Sequence, residues 1–142
     1  MAGTEAAIRQ AIVARIATLG GDWKESKFAP DVLGRDAASV AHQVYSVDLA
    51  SGRTTGGRQR RTMLQTETVV VRFMWRIAPK DQLVSYDAAL DAELVIIRHL
   101  SAAGWTSTFQ LAYVSTSRST TETGEWRRHE ITFNALFYLS LE

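Results

Sequence analysis

Residues Ser51–Arg61, SGRTTGGRQRR, place four arginines and three glycines together with no acidic residue among them. Guanidinium groups pair with phosphates and carboxylates through two parallel hydrogen bonds, and glycine lets a backbone turn tightly or approach a ligand closely. A segment of this kind grips an anion, meets a partner surface, or serves as a charged, solvated hairpin tip. A nucleotide-hydrolase phosphate loop would end in Gly-Lys-Ser/Thr and open a helix, so that backbone amides and the lysine face the phosphates. Here Gly56 and Gly57 lead to Arg58, Gln59 and Arg60 and then into a strand pattern, so nucleotide hydrolysis is set aside. Arg53, Arg58, Arg60 and Arg61 are read as an interface or as a basic loop kept soluble by its charge. In a ring of subunits such a patch would repeat into a continuous basic collar.

The other reactive residue types yield no constellation. His129-Glu130 resembles the opening of a zinc-protease motif, but the second histidine would fall at Phe133, and the stretch reads as strand. His42, His99 and His129 lie in three different elements and are read as surface or hydrogen-bonded histidines. Asp87 and Asp91 are one helical turn apart and would present paired carboxylates. Together with Asp81 and Glu93 they are read instead as complementing the positive end of a helix dipole. Trp23, Trp75, Trp105 and Trp126 are assigned to packing, since no RNA-binding aromatic pattern accompanies them. No catalytic, cofactor-binding or metal-binding residue is assigned.

Elements able to position these residues follow from periodicity. Thr4 caps a helix with Ile8, Ala11, Ile12, Ile16 and Leu19 on one face, stopped by Gly20 and Gly21. Asp22–Ala38 has no clean period and is expected to be an irregular connection pinned by Trp23 and Phe28. HQVYSVDL alternates as a strand, and after the arginine segment TETVVVRFMWRIAP forms the strongest strand, with Val69, Val71, Phe73, Trp75 and Ile77 on one side. Its length implies a hairpin projecting past the core. SYDAALDAELVIIRHLSAAG is helical, with Leu90, Leu94, Ile97 and Leu100 on its apolar face. Two strands joined by a polar turn around Ser117 to Gly124 complete the chain, and the last is apolar on both faces at its end. A strand of that kind is central and doubly covered, or has one face closed by another subunit.

The expected fold class is therefore α+β in the order α-β-β-α-β-β. It has a mainly antiparallel four-stranded sheet, two helices packed on one face, and a long projecting hairpin. The 142 residues show no compositional break and are expected to form a single domain, 1–142, able to hide roughly two thirds of its unfolded surface. Hydrophobic residues at 46% and charged residues at 22% point to neither a disordered nor a membrane class. No apolar run approaches the length of a membrane span, and Arg9, Gln10 and Arg15 interrupt the first apolar stretch in a way unlike a signal peptide. A net charge of +1 argues against a general nucleic-acid binder, so any basic function must be local. Cysteine is absent, which excludes disulfides, thiolate catalysis and cysteine metal sites.

The pattern as a whole resembles the tail terminator (tail completion) family of long-tailed bacteriophages. The resemblance rests on the opening helix IRQAIVARIATL, the hairpin HQVYSVDL and TETVVVRFMWRIAP, the helix DAALDAELVIIRHL, and the closing strand ITFNALFYLSLE. It is a likeness of element order and length over nearly the full chain, without a signature motif. It implies a structural virion protein with no catalysis or cofactor, located in the neck region of the tail and in the host cytoplasm during assembly. Such a protein forms a homohexameric ring that caps the tail tube, stops its polymerisation and offers a docking surface to the head-tail connector, with DNA passing through the lumen. On this reading Val70, Met74, Leu136 and Tyr138 are expected subunit contacts. The arginine loop would meet a neighbour, the tube or the lumen. Alternatives are another head-tail connector or tail tube subunit, or a non-viral α+β nucleic-acid- or ligand-binding domain.

Overall fold

A computed structural model describes residues 4–35, 39–58, 62–102, 109–121 and 124–140. The elements are α1 (Glu5–Ala17), β1 (Lys24–Glu25), β2 (Val44–Arg58), β3 (Thr62–Arg76), α2 (Gln82–Ser101), β4 (Phe109–Thr120) and β5 (Trp126–Ser140). They form one five-stranded sheet in the order β1-β2-β3-β5-β4, with β1 parallel to β2 and every other neighbour antiparallel. The expected four-stranded sheet is thus corrected to five. The added strand is a two-residue edge within the stretch read as irregular, where Lys24 and Glu25 pair with Val44 and Tyr45.

Period-two alternation sends Tyr45, Val47, Val69, Val71, Phe73, Ile131, Phe133, Ala135 and Phe137 to one face, where all are buried. Both helices pack on this face. α1 delivers Ile8, Ile12 and Ile16, and α2 delivers Ile96 and Leu100. The α1 boundaries follow the sequence reading: the Thr4 hydroxyl accepts from the Ala7 amide at 3.1 Å, and Gly20 and Gly21 leave the helix at φ +69° and +68°, a region side chains disfavour. Trp23 packs edge-on to Phe73 with ring centroids 5.3 Å apart. Phe28, expected as a second anchor, is exposed. Leu33, after the 3-10 turn Pro30–Val32, is buried in its place.

The segment after β1 crosses to the opposite face of the sheet. There the Pro30 carbonyl accepts from Ser46 Oγ at 3.1 Å and from Arg72 Nη1 at 3.4 Å. Arg72 also binds Asp48 at 2.9 Å and Glu130 at 3.3 Å, an ion network that fastens this cover to three strands. The cover ends near Met74, Arg72 and Val70, all buried, whereas Asn134, Leu136 and Tyr138 farther along β5 are exposed. The helix face is sealed much farther along the same strands, out to Phe137 and Gln65.

Two boundaries differ from the periodicity reading. Strand pairing runs through Ser51–Arg58 rather than stopping before it, with a bulge between Leu49 and Ser51, so most of the arginine segment is strand. β4 likewise continues through Ser117–Thr120, and the turn comes later. The cross-strand pair Gly52–Glu67 explains one glycine in the arginine segment. A Cβ at Gly52 would run into the Glu67 carboxylate and come within 2.6 Å of Gln65 Nε2. Gly52→Ala should therefore lower stability by about 1–3 kcal/mol through overpacking, measured by urea denaturation. The loss should shrink when Glu67→Ala is present in the same chain.

Candidate functional site

The buried polar groups define two clusters on the helix face. In the first, Glu93 of α2 takes two hydrogen bonds from Arg118 of β4, at 2.8 and 2.7 Å, and one from His129 Nδ1 of β5, at 2.7 Å. His129 is fully buried and stacks on Phe73 with centroids 4.6 Å apart. Burial lowers the pKa of His129 against the raising effect of Glu93, so the neutral ring donates from Nδ1. Burial works to raise the Glu93 carboxyl, but the hydrogen bonds from Arg118 and His129 together outweigh it and leave the pKa below its ordinary value. The cluster ties α2 to both β4 and β5. It has a carboxylate-oriented histidine, whose Nε2 lies buried without a hydrogen-bond partner among the described residues.

This cluster also corrects the reading of α2. The helix begins at Gln82, so Asp87 and Asp91 fall beyond its first turn on the exposed side, and Glu93 is buried rather than complementing the dipole. The buried seam is Ala89, Glu93, Ile96 and Leu100, while Leu94 turns outward. The helix is thus turned from the face read in the sequence, with Glu93 meeting Arg118 and His129 on its buried side.

The second cluster joins Glu67, buried to 1% exposure, with Gln65 and with Glu5 at the start of α1. Burial, aided by the neighbouring Glu5 carboxyl and opposed by Gln65, raises the Glu67 pKa to about 7. His42 and His99 have structural roles. His42 Nδ1 accepts from the Arg76 amide at 3.1 Å, and His99 Nε2 lies 2.9 Å from the Arg15 carbonyl, joining the two helix ends. Among the described residues no group of three or more metal-ligating side chains converges. No helix among them is long and apolar enough to cross a membrane.

The residues expected at interfaces separate into two sets. Met74 and Val70 are buried, Met74 beneath the chain's own Gly34. Leu136 and Tyr138 are exposed on the uncovered sheet face, as is Arg53, which lines an open depression of about 180 Å³ with Ser51, Thr66, Thr68 and Asn134. Arg58 ends β2 opposite Met63, and Arg60, Arg61 and Trp105 lie outside the described residues. Sequence reasoning missed the exposed apolar side of α2, with Leu83 at 78% and Val84 at 69% exposure. Its signal was present in the sequence, since α2 carries more apolar residues than one buried seam accommodates.

No family model matches the chain, and no curated protein matches it. Among solved structures it is similar to a chain in the virion of a native gene transfer agent (GTA) particle, with a TM-score of 0.54 and 12% identity. That likeness covers 92% of this chain and 94% of the other, and it shows a shared fold.

The raised Glu67 pKa has a definite sign. Between pH 4.5 and 7 the folded state holds a proton that the unfolded state has released, so this group's contribution to stability declines as pH rises through that window. Glu67→Gln should leave stability near pH 4 almost unchanged and increase it by up to about 3 kcal/mol at pH 8, measured by denaturant titration across that range.

Proposed function

We propose that this protein is a structural virion subunit, a phage tail terminator that forms a hexameric ring, caps the tail tube and presents a docking surface to the head-tail connector. The observation that carries the reading is the half-covered sheet. Leu136 and Tyr138 lie toward the end of a fifteen-residue strand on a face that the described residues do not close, as expected of a subunit completed by its neighbours. The fold likeness to a chain of a gene transfer agent virion, over more than nine tenths of both chains, supports the same reading. So does the order of elements on which the tail terminator resemblance rests.

On this account the protein acts by association, with no reaction step. The ring sits at the neck of the tail, is built in the host cytoplasm, and leaves a lumen for DNA. Arg53, Arg58, Arg60 and Arg61 give each subunit a basic segment unbalanced by any acid from Ser51 to Arg61. Repeated around a ring, that segment contacts a neighbouring subunit, the tube end or the lumen.

Light scattering over a range of concentrations, with negative-stain images of the same fractions, tests the reading. Closed six-membered rings, or rings that form on added tail tubes and stop their growth, are expected. Open tubes would assign the chain to a tube subunit. A monomer that ignores tubes and binds DNA with steep salt dependence would replace the reading with a nucleic-acid-binding domain. Arg58→Ser, Arg60→Ser and Arg61→Ser combined should leave folding intact and weaken tube capping; capping at the wild-type level would remove the arginines from the interface.

A further inference from the structure

α2 presents two lengthwise seams. The inner one, with Glu93 and Ile96, faces the sheet. The outer one carries Leu83 and Val84 near the start of the helix and Leu94 and Val95, 41% and 46% exposed, about three turns later on the same side. Asp87 and Asp91 stand between these pairs, and Arg98 follows one turn after Leu94, all three exposed. Monomeric proteins seldom gather so much apolar surface on one helix.

The uncovered sheet face carries the complement. Arg53 of β2 lies opposite Thr66 of β3, which lies opposite Leu136 of β5, so the three form one row across the sheet. With strands about 4.8 Å apart, Arg53 and Leu136 are about 10 Å from one another, and Tyr138 follows on the same face. Arg53 forms no ion pair among the described residues, and no acid lines the depression beside it. The helix patch is apolar and acidic through its first half, with Arg98 at its far end, and the sheet patch is apolar and basic. They lie on opposite sides of the sheet, so they cannot meet within one chain.

We propose that the outer face of α2 in one copy docks on the uncovered sheet face of the next. Asp87 and Asp91 meet Arg53, and the apolar positions of α2 cover Leu136 and Tyr138. The contact joins different patches on the two copies, so it propagates from copy to copy and either closes into a ring or runs open. It rests on the reading of the chain as a ring subunit and names the surfaces that build the ring.

Two variants test it, both altered only at exposed positions: Asp87→Arg with Asp91→Arg, and Arg53→Glu with Leu136→Glu. Each variant alone places like charges at every contact, and its dissociation constant should rise about tenfold or more above wild type by light scattering. In an equimolar mixture, contacts between unlike copies pair either the two altered patches or the two wild-type ones, so association should return. Retention of wild-type association by either variant alone overturns the proposal, as does a mixture that remains dissociated, or a wild type that is monomeric at every concentration. Tube capping by the same variants separates the two readings: variants that self-associate normally and still cap tubes leave the terminator function standing with a different subunit contact, whereas failure of the wild type to cap tubes removes the function itself.

Discussion

The pairing of β3 with β5 sets the terms for the rest of the molecule. Fifteen residues of β3, Thr62 through Arg76, run in continuous register with Ser140 through Trp126, without a bulge. At about 3.3 Å per residue this ladder is roughly 50 Å long, whereas the twenty residues of α2 span about 30 Å. No single layer of this chain can cover both faces along that length. The helices and the start of α1 seal one face as far as Gln65 and Phe137. The crossing segment seals the other only as far as Val70, held by Arg72, Asp48 and Glu130. The uncovered remainder is a direct consequence of one long ladder with unequal cover.

A second constraint acts through Glu93. Burying a carboxylate among apolar side chains is costly unless it is paired and hydrogen-bonded. Arg118 and His129 supply that pairing from two strands at once, so α2 is fixed in rotation as well as position. The same rotation turns Leu94 and Val95 toward solvent. The interaction that secures the helix to the sheet therefore also creates the outward apolar seam.

Local pattern made much of this legible in the sequence. Alternation at Val69, Val71 and Phe73, the Thr4 cap, and the stop at Gly20 and Gly21 are properties of neighbouring residues, and each has its expected place in the fold. Features that depend on distant partners were not legible. Glu93 reads as an acid complementing the helix dipole until Arg118 and His129, far along the chain, are brought beside it. Lys24 and Glu25 form a strand only because β2 offers them an edge, and Leu33 is an anchor only because the chain crosses beneath the sheet. The two-sided apolar end of the last strand marked Leu136 and Tyr138, but the sequence left open whether that strand is covered within the chain, and the fold shows both residues exposed. That Met74, equally apolar, is already covered by Gly34 required the fold.

Hydroxyl-radical footprinting of Leu136 and Tyr138, in dilute protein and in the tail-bound or self-assembled state, tests the central claim that assembly closes the uncovered sheet face. The account predicts that labelling of both residues falls severalfold on assembly, while Phe28, exposed and outside both patches, is labelled unchanged. Equal labelling of Leu136 and Tyr138 in the two states would contradict it.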